Sequence, residues 1–152
     1  MRKRFWIPAA LAGLVALGFF GIAPGYLEGR MNKVDGQPLI AVSPEAEALH
    51  KSLLIVDLHS DTLLWQRDLT RSADRGHEDL PRLKAGNVAL QVFASTTKSP
   101  KGQNYDANSA DTDNITLLAI AQRQPRRTWS SLLERSLFHA EKLDAAVAKA
   151  DG

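Results

Sequence analysis

The chain has 152 residues, short of the about 250 that a complete (β/α)8 barrel takes. Its formal charge is +2, from 19 basic and 17 acidic residues, but Arg2, Lys3 and Arg4 sit together at the N-terminus, and the sixteen basic residues left make the body nearly neutral, with no reason to expect nucleic acid as a partner. There is no cysteine, which excludes disulfides, thiolate metal sites and the lipid-acceptor residue of a lipoprotein.

After the basic residues 1–4, residues 5–23 run for nineteen positions without a charge. A helix rising about 1.5 Å per residue needs about 20 residues to cross a bilayer, so this segment suffices for one transmembrane helix. Two readings compete: a cleaved signal peptide and a retained single-pass anchor. Gly21-Ile22-Ala23 has the small-x-small form of a cleavage site, but Pro24 would follow the cut, where it hinders cleavage, and the run exceeds an ordinary signal core. The anchor is favoured, with the N-terminus cytoplasmic and the rest extracytoplasmic, periplasmic in a bacterium. Pro24-Gly25 is expected to end the apolar run. Residues 24–51 then read as a linker, with a short strand at residues 39–42 and a helix at 44–51 capped by Ser43 and opened by Pro44.

The next stretch, Leu53-Leu54-Ile55-Val56-Asp57-Leu58-His59-Ser60-Asp61, organises the remainder of the chain. Its aliphatic run predicts a strand buried on both faces, and the polar residues after it mark where that strand meets solvent. Side chains alternate along a strand, so His59 and Asp61 point one way and Ser60 the other. An imidazole and a carboxylate so placed could share a borderline cation such as zinc; equally, His59 could be a hydrogen-bonded surface residue and Asp61 a turn former. His50 reads as a polar helix end. His77-Glu78-Asp79 lacks a preceding strand, so His77 reads as peripheral, with Asp79 capping a short helix that begins at Pro81 and ends at Gly86.

Residues 87–95 predict a second buried strand, and strand, helical turn, strand is the unit of a parallel sheet. Residues 96–113 read as a polar surface loop in which Asp106, Asp111 and Asp113 act as caps and solvated turns rather than as a calcium site. Asp113 or Asn114 caps a helix at 115–123 that Pro125 ends. Thr128 is expected to cap a longer helix whose apolar face carries Trp129, Leu132, Leu133, Leu137, Ala140, Leu143 and Val147. Its opposite face, with Ser131, Arg135, His139, Lys142 and Lys149, is expected to meet solvent.

Two motifs taken together resemble a known family. Val56-Asp57-Leu58-His59-Ser60-Asp61-Thr62-Leu63-Leu64-Trp65, followed by His77-Glu78-Asp79-Leu80-Pro81-Arg82-Leu83-Lys84-Ala85-Gly86-Asn87-Val88-Ala89-Leu90-Gln91-Val92-Phe93, is similar to the N-terminal part of the membrane (renal-type) dipeptidases, the M19 metallopeptidases, in their bacterial branch. The resemblance covers about residues 53–152. It implies an α/β fold: the incomplete N-terminal portion, residues 52–152, of a TIM-barrel-like (β/α)8 metallo-dependent hydrolase, with a binuclear zinc site at the C-terminal ends of the strands. His59 and Asp61 match the first pair of zinc ligands, and no metal role falls on His77 or Asp79. The implied activity is zinc-dependent hydrolysis of dipeptides. The bridging carboxylate, two further His ligands and the substrate-holding His and Arg of the family have no counterpart up to Gly152, so no catalytic residue is assigned and these 152 residues alone are expected to be inactive. The implied partners are a dipeptide substrate, the membrane through residues 5–23, and a second copy of the chain as a homodimer. A membrane-tethered, non-catalytic interaction fragment is the rival reading, and a subunit completed by a separate chain is a third.

Overall fold

The computed structural model describes residues 6–34, 36, 38 and 40–150. The fold mixes helix and sheet, with one apolar helix at its N-terminal end. The chain forms two compact units, one joining the stretch through Met31 to Thr97–Arg135, the other joining Asn32–Thr96 to the residues from Ser136 onward.

In the first unit, α1 (Trp6–Leu17), a wider π turn (Gly18–Ile22) and α2 (Ala23–Met31) form one uninterrupted helical stretch of 26 residues, long and apolar enough for a membrane span or a signal sequence. Pro24-Gly25 therefore does not stop the helix. At the π turn the Ala23 N–H reaches back to the Gly18 carbonyl. Such a turn loosens the helix where the Pro24 ring would otherwise press on the preceding turn. Farther on, α5 (Ile115–Ala121) begins where the Asp113 carboxylate accepts from the Ile115 N–H at 2.9 Å and the Thr116 hydroxyl at 2.8 Å. It ends before Pro125, at Arg123, whose φ of 56° lets the Gln124 N–H bond to the Ala119 carbonyl.

The long helix α6 (Leu132–Lys149) corrects two expectations. Thr128 is not its cap: it lies, wholly buried, in a 3₁₀ turn at Arg126–Thr128, and the Ser131 hydroxyl instead accepts from the Glu134 N–H at 3.2 Å. Part of the polar face is buried, while Leu143 packs inward and Lys149 stays in solvent as expected. Arg135 and His139 are each 1% exposed, whereas Leu133, Leu137 and Val147 are 66%, 47% and 64% exposed. Arg135, His139 and Lys142 turn inward because each finds partners there for polar groups that leave water. Within the first unit, Arg135 uses all five guanidinium N–H groups: on the carbonyls of Thr128 (2.6 Å), Thr97 (2.6 Å) and Trp129 (2.9 Å), the Asp113 carboxylate (2.6 Å) and the Thr116 hydroxyl (2.7 Å).

In the second unit, α3 (Pro44–Ser52) starts as expected, with the Ser43 hydroxyl accepting from the Ala46 N–H at 3.2 Å. Leu39 of the expected 39–42 strand lies outside the described residues, and Ile40, Ala41 and Val42 form no strand. The strands β1 (Ile55–Ser60) and β2 (Val88–Phe93) pair in parallel, with Ile55 opposite Val88 and Ser60 opposite Phe93. They are not buried on both faces. Val56, Leu58 and Leu90 are 45%, 72% and 49% exposed, because a two-stranded sheet has no layer of helices over each face.

Between the strands, a 3₁₀ turn (Thr62–Leu64) carries Leu63 into a small core with Leu69 and Ala146, against which Phe93 and Leu143 pack. Lys142 of α6 donates to the carbonyls of Leu63 at 2.6 Å and Trp65 at 2.5 Å. The helix α4 (Leu80–Ala85) is capped as expected by Asp79, which accepts from the Arg82 N–H at 3.0 Å. At its other end Asn87, not Gly86, takes the left-handed conformation, with φ 55°. The Asn87 amide donates to the carbonyls of His50 and Leu53, each at 3.1 Å, tying the end of α3 to the start of β2.

Candidate metal centre

The C-terminal end of β1 carries the candidate site. His59 is the penultimate residue of the strand and Asp61 the first beyond it, with φ −94° and ψ 14°, a sparsely populated region where active-site residues recur. The alternation read from the sequence holds: His59 Nε2 lies 3.2 Å from Asp61 Oδ2, and both side chains are more than half exposed. Ser60 turns the other way and is buried. Its hydroxyl donates to the Glu78 carboxylate and accepts from the Thr62 N–H at 3.2 Å, fixing the turn that comes next.

The other strand contributes through the residues just past its end. The Thr96 hydroxyl donates to Asp61 Oδ1 at 2.8 Å, and the Ser95 hydroxyl lies 2.8 Å from Nδ1 of the buried His139. Burial pushes the Asp61 carboxyl up, but the hydrogen bonds from Thr96 and His59, with the positive fields of His59 and His139, outweigh it and hold the group below its ordinary value.

His59 and Asp61 open onto a cavity of about 220 Å³ whose wall also includes Arg67, His77 and Glu78. His77, expected to be peripheral, is exposed and stands in this wall. Glu78 differs: burial, then the neighbouring Asp57 charge, raise its carboxyl above the ordinary value, against the opposing pull of Arg67 and His59. The connection that delivers it is built on arginines. Arg67 donates to the carbonyls of Arg75 at 3.0 Å and Glu78 at 3.3 Å and to the Thr62 hydroxyl, while Arg82 donates to the carbonyls of Gly76 at 2.6 Å and Ala73. Gly76 has φ 76°, and a Cβ there would fall 2.1 Å from Arg67 Nη1, so only glycine lets the guanidinium pass.

No protein-family model, curated protein or solved structure matches the chain.

The donors suit a borderline divalent cation: one imidazole nitrogen and one carboxylate oxygen, adjacent and solvent-facing, the carboxylate held also by Thr96. Among the described residues no group of three or more His, Asp or Glu side chains converges to hold an ion, so His59 and Asp61 form a donor pair rather than a full set. Sequence reasoning missed Glu78 and Arg67 as parts of this cavity. The signal was slight: Glu78 lies inside a motif whose His and Asp drew the attention, and Arg67 is one of several arginines in a polar connection.

Proposed function

We propose that the chain contributes the first zinc-ligand pair, His59 and Asp61, to a membrane-anchored metallodipeptidase of the M19 type, with residues 52–152 as the opening segment of its (β/α)8 barrel. The observation that carries the reading is the His59–Asp61 pair at the C-terminal end of β1, with Thr96 reaching it from beyond the end of β2, its parallel neighbour. In parallel α/β folds that edge is where catalytic groups gather. The apolar stretch would anchor the protein, with Arg2, Lys3 and Arg4 keeping the N-terminus in the cytoplasm and the site outside.

Zinc bound there would lower the pKa of a bound water and polarise the scissile carbonyl. The chain's own residues have simpler tasks. His59 and Asp61 present a nitrogen and an anionic oxygen; Thr96 orients the carboxylate; Ser60, held by Glu78 and by the Thr62 N–H, fixes the backbone turn between the two ligands. A zinc ion takes about four ligands, so the pair alone gives weak binding.

Calorimetry of the chain in detergent micelles should show zinc binding that weakens at least about tenfold in His59→Ala, a loss of about 1.4 kcal/mol. Equal affinity in the parent, His59→Ala and Asp61→Ala would overturn the assignment. The 152 residues alone should hydrolyse no dipeptide, and turnover abolished by His59→Ala would show that they suffice.

One observation favours a second reading, the non-catalytic tethered fragment: Leu133, Leu137 and Val147 of α6 stand exposed, as an interaction surface would. Unchanged zinc affinity in both variants would favour it.

A further inference from the structure

His59 Nε2 and Asp61 Oδ2 lie 3.2 Å apart, and their side chains are 69% and 53% exposed. Zinc bound to an imidazole nitrogen at about 2.0–2.1 Å and to a carboxylate oxygen at about 2.0–2.2 Å, at the tetrahedral angle, sets those two ligands about 3.3–3.5 Å apart. The pair therefore already spans nearly one edge of a zinc tetrahedron. The other carboxylate oxygen, Oδ1, accepts from the Thr96 hydroxyl at 2.8 Å, which leaves Oδ2 turned toward His59 and toward an ion between them. A tetrahedron has a second edge opposite the first. Among the described residues no third His, Asp or Glu converges on the pair to fill it, and Glu78, in the wall of the same cavity, is engaged by the Ser60 hydroxyl.

We propose that two copies of the chain share one zinc ion, each supplying His59 and Asp61, so that the second copy fills the opposite edge. A twofold axis through the centre of a tetrahedron exchanges two opposite edges, and that is the symmetry of an isologous dimer, in which the same patch of both subunits meets. The donor count is that of a closed four-coordinate site, two imidazole nitrogens and two carboxylate oxygens. The charges close as well, because two carboxylates balance the dication while both imidazoles stay neutral. Without the ion the two Asp61 carboxylates repel one another at close range, so the contact depends on zinc. Exposure makes the arrangement reachable: a donor pair more than half open to water at a strand end can be met by a second surface, as a buried pair could not. The inference rests on the reading of His59 and Asp61 as zinc ligands, but not on the peptidase activity, and it names a second copy as the partner of that site.

The test uses the full chain in detergent micelles, with detergent in large excess so that chains seldom share a micelle by chance. Calorimetric titration with zinc should saturate at one ion for two chains, and sedimentation velocity should show a zinc-dependent doubling of the chains per particle that EDTA reverses. With trace zinc, raising the chain concentration about tenfold should raise the ratio of bound to free zinc about a hundredfold, since two chains enter each complex, against about tenfold for a one-to-one site. His59→Ala and Asp61→Ala, both at exposed positions where the fold tolerates truncation, should each lose the association. One zinc per chain, with binding that follows the first power of chain concentration, would overturn the shared site, and if both substitutions still weaken that binding the ligand pair itself stands. Equal zinc affinity in the parent and both variants would overturn the pair, and the shared site with it.

Discussion

Replacing Arg135 by alanine tests the inversion of α6 at its most costly point. The guanidinium is 1% exposed and its five N–H groups meet five acceptors, one of them the Asp113 carboxylate at 2.6 Å. Truncation strands that carboxylate and removes a donor from three carbonyls. Breaking a buried, hydrogen-bonded pair by removing one partner costs about 3–5 kcal/mol. Asp113 shares its charge among Arg135 and three other donors: its carboxyl is lowered from 3.8 to about 2, with burial opposing and the Arg135, Ile115, Thr116 and Ser99 hydrogen bonds prevailing. A tenfold change in a proton-binding constant is worth about 1.4 kcal/mol, so the stabilisation of the ionised form alone is about 2 kcal/mol. The assay is urea unfolding of the full chain in detergent micelles, with Trp6 and Trp65 replaced by phenylalanine so that Trp129 reports on this unit. With a slope of about 2 kcal/mol per molar urea, the midpoint should fall by about 2 M in Arg135→Ala. Combining it with Asp113→Asn should cost less than the sum of the two, because the second change removes the stranded charge. A shift below about 0.5 kcal/mol, the range of an ordinary surface substitution, would show that Arg135 faces solvent, as its sequence pattern suggests, and would refute the packing described for α6.

Acid should unfold the first unit through Asp113. A carboxyl depressed in the folded state contributes its full stability above the unfolded value of about 3.9 and loses it as pH falls through about 2; urea midpoints measured across that window should drop more for the parent than for Asp113→Asn. Lys142→Met should cost about 1–3 kcal/mol by leaving the Leu63 and Trp65 carbonyls without their ammonium donor, and the emission of Trp65 should shift to the red as the turn loosens. Gly76→Ala should destabilise the second unit by about 1–3 kcal/mol, through the positive φ and the approach to Arg67, and a thermal midpoint equal to the parent's would contradict that geometry.

The local grammar of the chain was legible because it depends on neighbours in sequence. Ser43, Asp79 and Asp113 act as the caps their positions imply, and the two β-rich runs flanking a short helix pair in parallel. The alternation that sets His59 beside Asp61 needed only the strand period. What failed depended on distant partners. In α6 the leucines are spaced for burial, yet Arg135, His139 and Lys142 turn inward, because the carbonyls of Thr97, Leu63 and Trp65, the hydroxyl of Ser95 and the carboxylate of Asp113 need donors that leucine cannot supply. Asn87 and Arg123 take left-handed conformations that Gly86 and Pro125 had suggested would fall elsewhere or not arise at all. At Asn87 the reason lies 34 residues upstream, at the Leu53 carbonyl its side chain reaches. A period counts hydrophobic residues along one element, and is silent about which polar groups elsewhere lack a partner.

The second unit shows why a polar stripe on α6 matters to the candidate site. Within it, Lys142 holds the turn after Asp61 by two carbonyls, and Ser95, which touches His139, adjoins Thr96, which touches Asp61. Both strand ends are thus held by side chains of one helix, Lys142 beyond β1 and His139 beyond β2. A leucine face in the same place would bury area without direction, whereas these bonds fix the carbonyls and hydroxyls around Asp61 in angle as well as distance. For a candidate donor pair on a two-stranded sheet with open faces, orientation has to come from such contacts, since the sheet has too few neighbours to supply it. Asp61 accordingly keeps its charge and its direction while more than half exposed to water, which is the state in which a carboxylate can exchange a hydrogen bond from His59 for a metal ion.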